Sequence, residues 1–257
     1  AVSFDKDGNI IASEGQDIQR GAVIELVNGT RFAAENQING RGIFFKIDGT
    51  SSIDQHGGGN SLVTMTSGAI IDGGISVAGT YNGNNQVDAL WIYFGKGSGE
   101  WSGIYGDKTY FTFKNGAYVE AQDRIEFGTG SLLKEMDVEI NASRIAAGEN
   151  IIIGSEGNAG KITSFNVTNN SLLQAGTDIS IVGTVVELSD SVINAATISN
   201  SGELVVTGAS FISGAMVGGK TYFGTKDTTV DATWNMTGFN NGSMALVNGN
   251  LAISGAN

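Results

Sequence analysis

A run of the form small–x–aliphatic–x–small, a short turn, then aliphatic–x–aliphatic–Gly recurs along this chain, and it restricts the fold more than any other feature. It is plain in Ser143-Arg-Ile-Ala-Ala-Gly-Glu-Asn-Ile-Ile-Ile-Gly and in Ser171-Leu-Leu-Gln-Ala-Gly-Thr-Asp-Ile-Ser-Ile-Val-Gly. Ala117-Tyr-Val-Glu-Ala-Gln-Asp-Arg-Ile-Glu-Phe-Gly reads the same way, and Ala69-Ile-Ile-Asp-Gly-Gly-Ile-Ser-Val-Ala-Gly aligns with it. Ser191-Val-Ile-Asn-Ala-Ala and Ser210-Phe-Ile-Ser-Gly-Ala continue the series; earlier copies begin near Thr30 and Ser51, and a late one near Ser243. Steps of about 19 to 28 residues fall in the range of solenoid repeats.

Each copy holds two runs of period two, so alternate side chains face one side. A single copy cannot bury that side; stacked copies can, each strand pairing in parallel with its equivalents above and below. The small residue that closes each first run (Ala121, Ala147, Ala175, Ala195, Gly214) suits a tight inward corner at a fixed offset. Asn-Gly pairs at Asn28, Asn39, Asn82, Asn115, Asn241 and Asn248 raise the competing reading of a hairpin meander, which offers no reason for such a corner. The strongest helix candidate, Ser131 to Ile145, alternates in its second half and reads there as strand. The expected fold is therefore all-β: a right-handed parallel β-helix (β-solenoid) of about ten coils, a single domain over 1–257. Longer loops are expected around 81–113 and 214–242, where the repeat is interrupted and aromatic residues concentrate.

The absence of Pro agrees with a chain whose backbone donors are consumed by ladders. The absence of Cys removes disulfides, thiol nucleophiles and Cys-ligated metals, and a single His, His56, removes multi-histidine metal sites. A net charge of −12 with few cations argues against nucleic acid and acidic membrane surfaces. No apolar run is long enough to span a bilayer as a helix, so the chain is not expected to be membrane-embedded.

The Ser-x-Ile-x-Ala coils, Asn/Gly-rich turns, missing Cys and scarce His resemble passenger domains of Gram-negative autotransporters and related adhesins. The closing Leu251-Ala-Ile-Ser-Gly-Ala-Asn is similar to part of a repeat common in such passengers. The resemblance implies a bacterial cell-surface or extracellular location and a non-enzymatic structural or adhesive role. Its implied partners are a host surface, a glycan, or another copy of the chain.

Catalytic signals are sparse. His56, in Asp54-Gln-His-Gly-Gly-Gly, lacks a nucleophile elbow to serve and reads as a turn residue. A polysaccharide-binding or polysaccharide-degrading β-helix, of the lyase, hydrolase or phage-tail type, is the alternative. Glu120, Asp123 and Arg124 share one coil and could meet Glu139 or Glu149 on neighbours, although solvated outward residues explain them as well. No calcium-binding nonapeptide or EF-hand loop occurs, and no cofactor or metal site is expected. The sequons at Asn28, Asn141, Asn166, Asn169, Asn235 and Asn241 follow from composition, and Thr64-Met-Thr66 is an isolated Thr-x-Thr. The ligand- or partner-binding candidates are Trp91, Tyr93, Trp101, Tyr105 and Tyr110, since exposed Trp and Tyr stack on sugars and anchor interfaces. The same rings could instead fill a wider coil. In Trp91-Ile-Tyr-Phe, alternation puts Trp91 and Tyr93 on one face and Ile92 and Phe94 on the other. Leu251 and Ile253, in an apolar final strand, are candidates for end-to-end stacking into a filament.

Overall fold

The computed structural model describes residues 108–130 and 135–223 continuously. Outside these it describes residues 22–28, 87–95 and the separate strands named below. The chain winds as a parallel β-helix of ten coils. One strand from every coil joins a ten-stranded parallel sheet: Ala22–Leu26, Ile43–Ile47, Ile75–Ala78, Lys108–Lys114, Glu135–Asn141, Ile162–Thr168, Val185–Ser189, Glu203–Thr207, Lys220–Phe223 and Ser243–Val247. The rest of each coil enters a second sheet, either as one long strand, as in Tyr118–Phe127 and Val192–Asn200, or as two short ones. The pair Arg144–Ala147 and Asn150–Ile153 is of the second kind, as is the pair Leu172–Ala175 and Asp178–Ile181.

The split comes from the corner the repeat foretold. Ala121, Ala147 and Ala175 are stacked and buried, and directly after them Gln122, Gly148 and Gly176 turn the backbone. There the coils touch: a Cβ on Gly148 would stand 2.0 Å from the Gln122 carbonyl oxygen, and one on Gly176 2.0 Å from that of Gly148. At the other corner, buried Ser143, Ser171, Ser191 and Ser210 form a ladder. The amide of each donates to the hydroxyl of the next, at 3.1, 3.1 and 3.3 Å. Each of the last two hydroxyls in turn donates to a carbonyl of its own turn, Ser191 to Ser189 and Ser210 to Thr207. Serine at the start of the repeat is thus a backbone device, satisfying donors in a buried turn.

In-register stacking sorts the interior into columns. Val119, Ile145, Leu173, Ile193 and Ile212 make one; Ile125, Ile151, Ile179, Ile198 and Met216 make another. All ten are buried. In the wider coils the columns become aromatic: Phe94 stacks on Phe127 at 4.9 Å between centroids and meets Phe111 and Phe113 edge-on, while Phe127 meets Phe165 at 88°. Such geometries favour aromatic pairs beyond the area they bury.

Several details depart from the expected alignment. Ala69–Ile71 is in register with Ile92–Phe94, and these with Ile125–Phe127, so that copy belongs to the end of a coil rather than to its anchor. The anchor between Ile53 and Val119 is Val87, paired with both. Ser243–Val247 lies in the ten-stranded sheet; the late anchors are Met236 and Ile253, reached through Ile212. Asn115-Gly116 takes left-handed values (φ 56° and 88°), yet it turns the chain from one sheet to the other and makes no hairpin. Ile10–Ile11 stands apart from the coils and pairs antiparallel with Ser3–Phe4 in a separate two-stranded sheet. The second half of the helix candidate is strand Glu135–Asn141, as its alternation indicated.

Among the described residues, two buried polar atoms interrupt the columns without a partner: Asn200 Oδ1 and Thr221 Oγ1. Thr221 continues the column Val186–Leu204, where a methyl would fit as well. Replacing an unpaired buried hydroxyl by its apolar isostere removes a desolvation penalty. Thr221→Val is therefore expected to raise stability by about 1 kcal/mol, whereas Gly176→Ala is expected to cost more than about 3 kcal/mol because backbone must move. Equilibrium denaturation of both variants checks the pair of signs.

Candidate functional site

The outer face of the ten-stranded sheet carries a close arrangement of chemically useful side chains. Alternation sends Phe111 and Phe113 inward and Tyr110 and Thr112 outward from Lys108–Lys114. One coil on, Asp137 stands beside Tyr110 and Glu139 beside Thr112; one further, Ser164 and Asn166 follow. These residues, with Val138, line an open groove of about 170 Å³ that runs across three coils.

The carboxylates are held from the flanks. Lys108 Nζ lies 3.0 Å from Asp137 and 3.8 Å from Glu135, and Lys114 Nζ lies 3.0 Å from Glu139. Thr163 donates to Asp137 at 2.7 Å, and Asn166 Nδ2 donates to Ser164 Oγ at 2.9 Å. The hydrogen bond to Asp137, reinforced by the charges of Asp137 and Glu135, holds the Lys108 ammonium above its usual pKa against partial desolvation. The groove thus presents an aromatic ring, two ionised acceptors with lone pairs to spare, a hydroxyl and an amide, with its charges balanced locally. Polyhydroxylated ligands are recognised by such a set.

Strand Ser3–Phe4 comes close to Lys108–Lys114, whose edges are taken by Ile75–Ala78 and Glu135–Asn141 and beneath which Phe111 and Phe113 fill the interior. Thr112 points outward and yet is only 6% exposed. Nearer the N-terminus, outward-facing Phe44 is fully buried in a second apolar cluster with Val23.

Of the aromatic candidates, Tyr110 is in this groove. Trp91 and Tyr93 share an outward face of the second sheet, as alternation required, with Ile92 and Phe94 inside. Their rings are 4.6 Å apart, and Tyr93 is only 4% exposed. Arg124 on the next coil donates to Tyr93 Oη through Nε (3.2 Å) and Nη2 (2.5 Å), lies over the ring, and pairs with Glu126 at 3.1 Å. The hydrogen bond to Tyr93 leads in raising the Arg124 pKa. This cluster covers a corner and closes on itself. Trp101, Tyr105 and His56 lie outside the described residues, as does the Thr64-Met-Thr66 run. Leu251 and Ile253 stand opposite Trp234 and Met236 in the last strand, which puts Ile253 in register with the inward anchor column.

The carboxylates considered for catalysis are dispersed. Glu120 is on the second sheet and accepts from Tyr118 at 3.0 Å, whereas Glu139 is on the ten-stranded sheet. Asp123 and Glu149 do occupy adjacent coils at the corner, where the Glu149 amide donates to the Asp123 carbonyl. Among the described residues no three His, Cys, Asp or Glu side chains cluster as a metal site would require, and no helix is long and apolar enough to cross a membrane. The chain matches no family model, no curated protein and no solved structure.

A lysine whose pKa is raised on folding stabilises the fold fully below its unfolded value, and that contribution fades as pH climbs through the folded value. The stability difference between the parent and Lys108→Met should therefore hold steady from pH 7 to pH 9.5 and shrink toward zero only above 10.5, the ordinary lysine value. Urea titrations of both proteins across that range measure it.

Proposed function

We propose that this chain is a non-enzymatic β-solenoid of a bacterial cell-surface or extracellular protein, and that it adheres to a glycan through the groove at Tyr110. The observation that carries the reading is the composition of that groove: a half-exposed tyrosine ring beside Asp137, Glu139, Ser164 and Asn166 on a rigid, ladder-held face. Sugars need an apolar plane for their C–H faces and fixed polar groups for their hydroxyls, and this face presents both on strands that do not have to reorganise. The repeat's resemblance to adhesin passengers supports adhesion over hydrolysis, as does the placement of Glu120 and Glu139 on different sheets.

The polysaccharide-cleaving alternative is separated from this reading by one set of measurements. A panel of surface glycans, screened by binding and by release of reducing ends, is expected to yield ligands without products. Tyr110→Ala should weaken binding roughly tenfold, the loss of about 1.4 kcal/mol of ring stacking. Release of product that disappears in Asp137→Asn or Glu139→Gln would instead establish the enzyme.

A further inference from the structure

Resting on the glycan reading above, we infer that the ligand is an extended, uncharged β-linked oligosaccharide that lies along the solenoid axis, one sugar to a coil, from Tyr110 to Tyr222. The ladder registers carry this inference. Thr112 pairs with Glu139, Glu139 with Asn166, Asn166 with Glu187, Glu187 with Val205 and Val205 with Tyr222. One outward column therefore runs from the Tyr110 groove to a second tyrosine five coils away, partly exposed on the same face. Parallel strands are spaced at about 4.8 Å, so the strip is roughly 24 Å long. Pyranose rings in an extended β-linked chain recur at nearly the spacing of the strands. Such a chain laid along the axis keeps each sugar opposite the next row of side chains without drifting out of phase.

The strip begins at Lys108–Lys114, near which strand Ser3–Phe4 lies, and continues along the ladder to Lys220–Phe223. Its polar groups are acceptors, hydroxyls and amides, and Val185 adds apolar surface for C–H faces, while Val205 in the column itself is nearly buried at 8% exposure. Its charge disfavours anions. Lys108 is paired with Asp137, Lys114 with Glu139, and Lys220 approaches Glu203 at 3.9 Å, which leaves Glu187 to make the row acidic. A uronate or sulfated chain would add repulsion on a molecule already carrying −12.

Calorimetric titration of the intact chain with β-1,4-linked glucose and N-acetylglucosamine oligomers of two to seven units, and with an oligouronate, tests this. Affinity should climb with each added sugar and level off near five or six. Tyr110→Ala should weaken every length roughly tenfold, while Tyr222→Ala should weaken only oligomers of five units or more. Both variants must retain the parent's melting temperature. Affinity that does not depend on length, or a Tyr222→Ala variant indistinguishable on the longest chain while Tyr110→Ala loses binding, would overturn the axial strip and leave the groove reading standing. Failure of every glycan to bind the parent would remove both. Tighter binding of the oligouronate, or salt-sensitive capture of a basic peptide in place of any sugar, would refute the neutral-glycan assignment.

Discussion

In-register parallel pairing between equivalent segments of successive coils is the constraint from which the rest of this molecule follows. Because each strand sits over its counterpart, any choice made at one position is repeated along the axis, inside and out. Inside, that produces columns of Ile, Val and Leu with an aromatic stretch running from Phe94 to Phe165. At the corners it leaves no depth for side chains, so Ala, Gly and Ser stack there. The serine ladder shows the economy of the arrangement: one hydroxyl serves the amide of the neighbouring coil and a carbonyl of its own turn.

The same constraint explains what could be read from the sequence and what could not. The columns Val119–Ile145–Leu173–Ile193–Ile212 and the Ala corner were legible because consecutive coils there differ little in length, and the small–x–aliphatic–x–small run survives intact. The copy at Ala69 misled because Ala-Ile-Ile mimics an anchor, while the true one, Val87-Asp-Ala89, has Asn and Gln before it in place of a small residue. Spacing alone could not correct this. Ile53 to Val87 spans 34 residues and Val87 to Val119 spans 32, against 20 between Leu173 and Ile193. The cost of closing a loop grows only slowly with its length, so the period is free to vary while the register is not.

The groove was less legible than the fold. Tyr110 was visible as an aromatic in an interrupted stretch, but its neighbours are set by register, and register was sought in the anchor run rather than in the ten-stranded sheet. The signal was present: Lys108-x-Tyr110-x-Thr112-x-Lys114 and Glu135-x-Asp137-x-Glu139-x-Asn141 repeat at an offset of 27 with opposite charges. Aligning those two runs places Lys108 over Glu135 and Tyr110 over Asp137, with Lys114 diagonal to Glu139. Glu139 was noted for its charge alone, and pairing it with Glu120 failed because the two belong to different sheets. The Trp91–Tyr93 pair was correctly assigned to one face, but sequence could not foresee that Arg124 and Glu126 one coil away would engage it.

A solenoid face is chemically distinctive because it multiplies small contacts rather than perfecting one. Lateral ion pairs such as Lys114–Glu139 are exposed and individually contribute little to stability. Their placement matters more than their strength, since they fix carboxylates at known heights on the axis and cancel charge that would otherwise repel a neighbouring rung. The backbone beneath is immobilised by its own ladder, so a ligand that spans several coils pays ordering costs almost wholly on its own side. Affinity on such a surface should therefore come from length and match of period. A rigid repeating polymer is the natural complement of a rigid repeating sheet, and a single compact ligand would use only a fraction of what this face offers.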